Sequence, residues 1–177
     1  MKKLLAVLCA VAAVIATVVF VSRAGGNSEQ TVKNDYLRIH VRANSNSQTD
    51  QSVKYIVKDE VVKYITPYAA QCTDKQTAMQ VISGILAGIE QVCDKVLKEH
   101  GFDYTSRASV RQEEFPTRVY GDLTLENGLY DALIIELGSG TGDNWWCVIY
   151  PPLCFTSGTE NIEYRSAIYD IIKKFFD

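Results

Sequence analysis

Between two stretches of strict alternation, one segment of this chain repeats its apolar residues at helical spacing, and that change of period limits the fold more than any other feature. In the segment before it, residues 36–43, Leu37, Ile39, Val41 and Ala43 alternate with Tyr36, Arg38, His40 and Arg42. This is the pattern of a half-buried strand. Then Val53, Ile56, Val57, Val61, Tyr64 and Ile65 recur every three or four residues over 51–66, with Asp50 as a cap and Pro67 as the stop. A second, longer helix is expected after Thr73 and Gln76, which form a capping box. Its stripe is continuous through Ala78, Val81, Ile82, Ile85, Leu86, Ile89, Val92, Cys93, Val96 and Leu97. Lys95, Lys98 and His100 complement its C-terminal dipole, and Gly101 suits the position just past its end. The short connection makes the two an antiparallel hairpin.

Beyond residue 104 the period returns to two. Residues 105–113 and 117–125 read as strands, and Asn127-Gly128 signals a turn. Residues 129–137 contain Ala132-Leu133-Ile134-Ile135, apolar on both faces, which suits a central strand. A loop over 138–143 leads into 144–150, expected as the hairpin partner of 129–137. Ile162, Ile168, Ile171, Ile172 and Phe175 suggest a terminal helix. The fold class implied is α+β: an antiparallel helix hairpin packed on one face of a mainly antiparallel β-sheet, with an N-terminal membrane segment and a C-terminal helix.

That membrane segment is residues 4–21, eighteen uncharged residues behind Lys2 and Lys3. As a helix they span about 27 Å, close to the hydrocarbon thickness of a bilayer. Ser22-Arg23-Ala24 before Gly25 suits cleavage after Ala24, so residues 1–24 are either a signal peptide or an N-terminal anchor, and both export the remainder of the chain. Residues 25–35 read as a linker, 36–155 as the folded domain and 156–177 as a helical tail. Beyond Ala24, fifteen basic residues face all 21 acidic ones, a net charge of −6. A mildly acidic domain without a basic stripe argues against nucleic acid as a partner.

Chemistry is sparse. The run Gly138-Ser139-Gly140-Thr141-Gly142 leads into a strand rather than a helix, so it does not read as a phosphate loop, and Gly140 occupies the place a nucleophile elbow gives to serine. The only histidines, His40 and His100, have structural readings, and neighbouring Glu113 and Glu114 on a strand point to opposite faces. Asp122, Asp131 and Asp143 converge only if the tertiary fold brings them together. The cysteines follow no metal pattern, and no cofactor is implied. Cys72 and Cys93 lie about 27 Å apart along a helix and do not pair. Cys147 and Cys154 flank Pro151-Pro152, and the choice between a disulfide and two reduced thiols stays open. Trp145 and Trp146 are neighbours on a strand, so their rings leave by opposite faces. One can enter the core; the other is either covered by the tail or left as a binding hot spot. Gly84 and Gly88 allow close approach of another segment.

These residues carry a resemblance. Residues 37–44 with Ser45 and Asp50-Gln51, then Phe115-Pro116-Thr117, Tyr120-Gly121-Asp122-Leu123-Thr124-Leu125 and Gly128-x-Tyr130-x-Ala132-Leu133 are similar to the stage II sporulation protein R family. Asn144-Trp145-Trp146-Cys147 through Pro151-Pro152-Leu153-Cys154-Phe155 is the most specific block, and the resemblance covers about 37–155. It implies an exported signalling protein, not an enzyme. Such a protein acts between the forespore and mother-cell membranes, where it triggers the membrane-embedded aspartic protease that processes the precursor of sigma-E. On this reading Trp145, Trp146, Tyr120 and Asp122 are the candidate partner contacts. The alternatives are an extracytoplasmic hydrolase using Cys147 or Cys154 with His40, and a module that binds cell-wall glycan through its tryptophans.

Overall fold

A computed structural model describes Lys33 and residues 35–153. The proposed membrane segment, the C-terminal helix and Cys154 lie outside the described residues. Among the described residues no helix is long and apolar enough to cross a membrane.

The fold is α+β. Strand β1 (Leu37–Arg42) is followed by helices α1 (Gln48–Ala69), α2 (Lys75–Gly84) and α3 (Leu86–Glu99). Strands β2 (Ser106–Phe115), β3 (Arg118–Tyr120), β4 (Leu123–Leu125), β5 (Gly128–Leu137) and β6 (Asn144–Tyr150) complete the described chain. Four strands form one sheet in the order β2-β5-β1-β6, and β3 and β4 pair with each other. The sheet is mixed but mainly antiparallel: β2 and β6 run antiparallel to their neighbours, while β1 and β5 are parallel.

The helices begin and end for local reasons. Ser47 caps α1, its Oγ accepting from the Asp50 N–H at 3.1 Å, so the cap lies three residues before the expected Asp50. Pro67 does not stop α1, which continues to Ala69. A proline removes only its own N–H, and this close to the helix end little of the hydrogen-bond ladder remains to be broken. The expected single second helix is two. Asp74, not Thr73, caps α2 by accepting from the Thr77 N–H at 2.7 Å, and the helix breaks at Ile85 (φ −112°, ψ 12°). The Ser83-Gly84 pair ahead of the break is a poor helix former. The apolar stripe survives across it: Ala78, Ile82, Ile89, Cys93, Val96 and Leu97 are all buried. At the end of α3, Gly101 takes a left-handed φ of +80°, as a residue just past a helix end does.

These helical residues join Val53, Val57, Val61 and Ile65 of α1 against Leu37, Ile39, Val41, Leu133, Ile135, Leu137, Cys147 and Ile149. Since side chains alternate along a strand, all the sheet residues in this cluster apart from the strand ends project from one face. The helices cover that face. Helix α1 meets α3 closely at Gly88, where an added Cβ would overlap the Tyr64 hydroxyl, whereas Gly84 faces open space.

Two strand expectations need correction. Residues 117–125 do not make one strand; they fold back at Gly121-Asp122 into the β3–β4 hairpin. Residues 144–150 do not pair with 129–137, because β1 lies between them. The six residues of the glycine-rich loop therefore carry the chain across the end of β1. The loop is held there by the β1–α1 connection. Asn44 accepts from the Ser139 N–H through its side chain (2.9 Å) and from the Ser139 and Thr141 hydroxyls through its carbonyl (2.6 and 2.9 Å). Gly142 donates to the Ala43 carbonyl at 2.8 Å, and a Cβ at Gly142 would overlap the Ser45 backbone. Asp50 anchors the other side of this clamp, accepting from Ser45 Oγ, Asn44 Nδ2 (3.0 Å) and Tyr104 Oη (2.6 Å).

Candidate functional site

The face of the sheet turned away from the helices carries what the alternation of β1 assigned to solvent. Arg38, His40 and Arg42 project there, yet Arg38 is 0 % and His40 4 % exposed. The expectation of a half-buried strand fails because β1 is interior, with neighbours on both sides, and its polar face is roofed. The roof is the sheet itself. In register, Glu113 stands opposite Tyr130, while His40 stands opposite Ile134, four residues further along β5. In a flat sheet that offset is about 13 Å. The His40 Nδ1 nevertheless donates to Glu113 Oε1, so the ten-residue β2–β5 ribbon must twist and coil over β1.

Coiling brings aromatic rings onto the arginine. The Arg38 guanidinium lies 4.1 Å from the ring centre of Phe115 and 4.8 Å from that of Tyr130, and donates to Tyr120 Oη at 2.9 Å. No carboxylate pairs with it among the described residues, and its Nε and second terminal nitrogen have no hydrogen-bond partner. Burial pulls its pKa down, with Tyr120 and Tyr130 pushing the other way. Ring faces supply the compensating attraction. Next to it, His40 stacks on Trp146 with ring centres 5.4 Å apart. Burial also pulls the imidazole below its ordinary value, and neighbouring Asn144 and the bond to Glu113 offset this only in part; Nε2 has no hydrogen-bond partner among the described residues. Glu113 is held below the usual carboxylate range: burial would raise it, but His40 and Arg42 outweigh that. Arg42 donates to Glu113 at 2.7 Å and to Glu136 at 2.9 Å.

The β3–β4 hairpin is tied to this face at two points. Tyr120 receives Arg38, and the Arg118 guanidinium lies 4.2 Å from the ring centre of Trp146. Its outer side presents Val119, 66 % exposed, together with exposed Asp122.

The four nominated contacts are thus only partly brought together. Trp146, Tyr120 and the Asp122 turn belong to one region. Trp145 leaves by the helix side, where the Lys58 ammonium lies 5.6 Å from its ring centre. Both tryptophans are half-buried. Arg38 and Arg118, which bind the region together, were not nominated. The available signal was a strand carrying two arginines and a histidine on one face beside partner strands rich in Phe and Tyr.

The other candidates separate. Cys147 is disulfide-bonded and lies with the helix-side core, whereas His40 projects from the opposite face, so these two form no catalytic pair. Cys72 and Cys93 are free and buried, and burial pushes the Cys93 thiol up to about 12. Asp131 pairs with Lys75, Asp143 donates its N–H to Asn46, and Asp122 is exposed, so the three aspartates do not converge. Glu113 and Glu114 do diverge, one onto His40 and the other exposed. Among the described residues no group of three or more His, Cys, Asp and Glu could hold a metal ion. A cleft of about 280 Å³ between Tyr36, Thr73, Lys75 and Tyr150 includes none of the nominated residues.

Comparison with known proteins agrees with the motif-based reading. A model of the stage II sporulation protein R family matches residues 33–160, which includes every described strand and helix. The chain is also 34 % identical over 129 residues to the stage II sporulation protein R of Bacillus subtilis (strain 168). The match takes in 73 % of this chain and 58 % of that relative's length. No solved structure matches the chain.

Proposed function

The chain belongs to the stage II sporulation protein R family, and from that premise we propose that it is an exported signalling protein of spore formation. It acts between the forespore and mother-cell membranes, where it switches on the membrane-embedded aspartic protease that processes the pro-sigma-E precursor. The single observation that carries this reading is the family match across the whole described fold. The uncharged run at 4–21 supports export.

An activator of this kind works by binding the active form of its target better than the inactive one. Moving such an equilibrium from 1:99 to 99:1 takes about 5.5 kcal/mol of differential affinity. The contact is assigned to the outer side of the β3–β4 hairpin, where Val119 and Asp122 are exposed and Arg118 and Tyr120 hold the hairpin to the sheet. A disulfide from Cys147 to Cys154 is part of the same proposal, closing the chain beyond β6.

Co-expression of the full chain with the protease and the sigma precursor in a non-sporulating host tests both levels. Processing should require this chain, and it should drop with Val119→Asp or Asp122→Arg while expression stays unchanged. Processing that proceeds equally well without the chain sinks the function. Processing that needs the chain but ignores both substitutions sinks only the contact surface.

A further inference from the structure

Strand β2 is an edge of the described sheet, and among the described residues its outer rim is partnered along only half its length. The Ser106 N–H donates to Asp94 at 2.7 Å and the Ala108 N–H to Glu90 at 2.8 Å, both carboxylates coming from α3. Those two amides therefore point away from β5, and by the alternation of an antiparallel ladder so do the amides of Val110, Gln112 and Glu114. Among the described residues none of these three has a partner on the outer side. After Phe115 comes Pro116, which has no N–H to offer. The open rim thus runs from Val110 to Glu114, bounded by a capped amide at 108 and a missing one at 116. Gln112 is its midpoint.

Unpaired rims of this kind attract strands. We propose that the β2 rim is a self-association surface, on which a second copy of this chain pairs antiparallel through its own β2 about a two-fold axis at Gln112. Charge selects the occupant and the register. Centred on Gln112, Arg111 of each copy faces Glu113 of the other, Val110 faces Glu114, and about six backbone hydrogen bonds form. Centres at Arg111, Glu113 or Glu114 would oppose two arginines or two glutamates. A centre at Val110 would set Gln112 against Ala108, whose amide Glu90 already occupies. Only one two-fold pairing avoids both faults. Arg111 is 40 % exposed, and pairing exchanges part of its own-chain contacts, to Ser109 Oγ at 2.8 Å, Glu136 at 3.2 Å and Glu113 Oε2 at 3.4 Å, for Glu113 of the second copy, which is 14 % exposed and keeps Oε1 on His40 and Arg42.

Directly opposed residues that exchange both hydrogen bonds have Cα atoms about 5.5 Å apart, within disulfide range. The full chain carrying Gln112→Cys, in membranes or detergent under mild oxidation, should therefore give a covalent homodimer on a non-reducing gel. The unsubstituted chain and a Thr124→Cys control on the exposed face of β4 should not. Adding Arg111→Glu, which opposes two glutamates across the axis, should abolish the cross-link. The proposal is overturned if Gln112→Cys stays monomeric, if it cross-links only to a different protein, or if Thr124→Cys or the Arg111→Glu double variant dimerises equally well. A processing assay with Gln112→Cys under reducing conditions reports separately on activation, so either reading can fail alone.

Discussion

The two faces of the β-sheet are both buried, but by different means. On one, Leu37, Ile39 and Val41 pack into an apolar cluster with residues of the three helices. On the other, the intervening residues of the same strand put an arginine and a histidine under Phe115, Tyr130 and Trp146, with the β3–β4 hairpin on top. The first face draws its stability from area removed from water. The second carries polar groups whose burial must be offset one by one, through ring contacts and charge-assisted hydrogen bonds. The first is therefore suited to holding the fold. The second is tunable, and it is the one that presents a hairpin to the outside.

The largest effect should come from the helix-covered face. Ile39→Ala should cost about 2–5 kcal/mol in denaturant unfolding, since it leaves a cavity in packed surroundings; a loss under about 1 kcal/mol would mean that this face is not the stabilising one. Next comes the clamp at the end of β1. Asp50→Asn should cost about 1–3 kcal/mol, because a buried carboxylate with three side-chain donors becomes an amide that cannot accept from all of them. Burial would raise the Asp50 pKa, but Ser45, Tyr104, Asn44 and Ser47 hold it below its ordinary 3.8. Its contribution is therefore full above that value and is lost as pH falls through the lower native pKa. An acid unfolding curve of Asp50→Asn should lack that part of the limb.

The polar face should titrate in a different window. His40 is held below its ordinary 6.5, so on acidification the unfolded chain takes up the proton first. Its stability contribution is intact above about pH 6.5 and declines below it. Melting temperatures of the parent chain and His40→Gln, followed from about pH 7.5 to 5, should diverge only on the acid side of that range. Parallel curves would remove His40 from the account. The smallest effect belongs to the hairpin. Arg118→Ala should cost only about 0.5–1 kcal/mol through the lost contact with Trp146, visible as a modest red shift of tryptophan emission as the ring gains water. A loss as large as that at Ile39 would mean that the hairpin is structural rather than presented.

Reading the residues in order finds which segments are helical and which extended, because that follows from spacing within one segment, but it runs α2 into α3 and β3 into β4. The stripe through Ile82, Ile89, Cys93 and Leu97 needs no partner to be recognised, and neither does the alternation of β1 or the two-sided apolar run of β5. The misplaced boundaries at Asp50, Pro67 and Thr73 come from caps and breaks decided by single hydrogen bonds. Less of the candidate site was legible. Trp146, Tyr120 and Asp122 could be named from their residue types. That Trp145 belongs elsewhere follows from strand parity, but Arg38 and Arg118 could not be found without knowing which strand covers which.

Periodicity along the chain settled which segments are helical, which are extended, and which side of each is apolar, since those follow from 3.6 and 2 residues per repeat. It could not settle that β1 slips between β5 and β6, or that the β2–β5 ribbon curls over Arg38 and His40. Pairing and coiling depend on contacts between residues some 70 to 110 positions apart, as in His40 with Glu113 and Ile39 with Cys147. A local pattern carries no information about which distant edge is free to receive a strand, and only the packed whole supplies it.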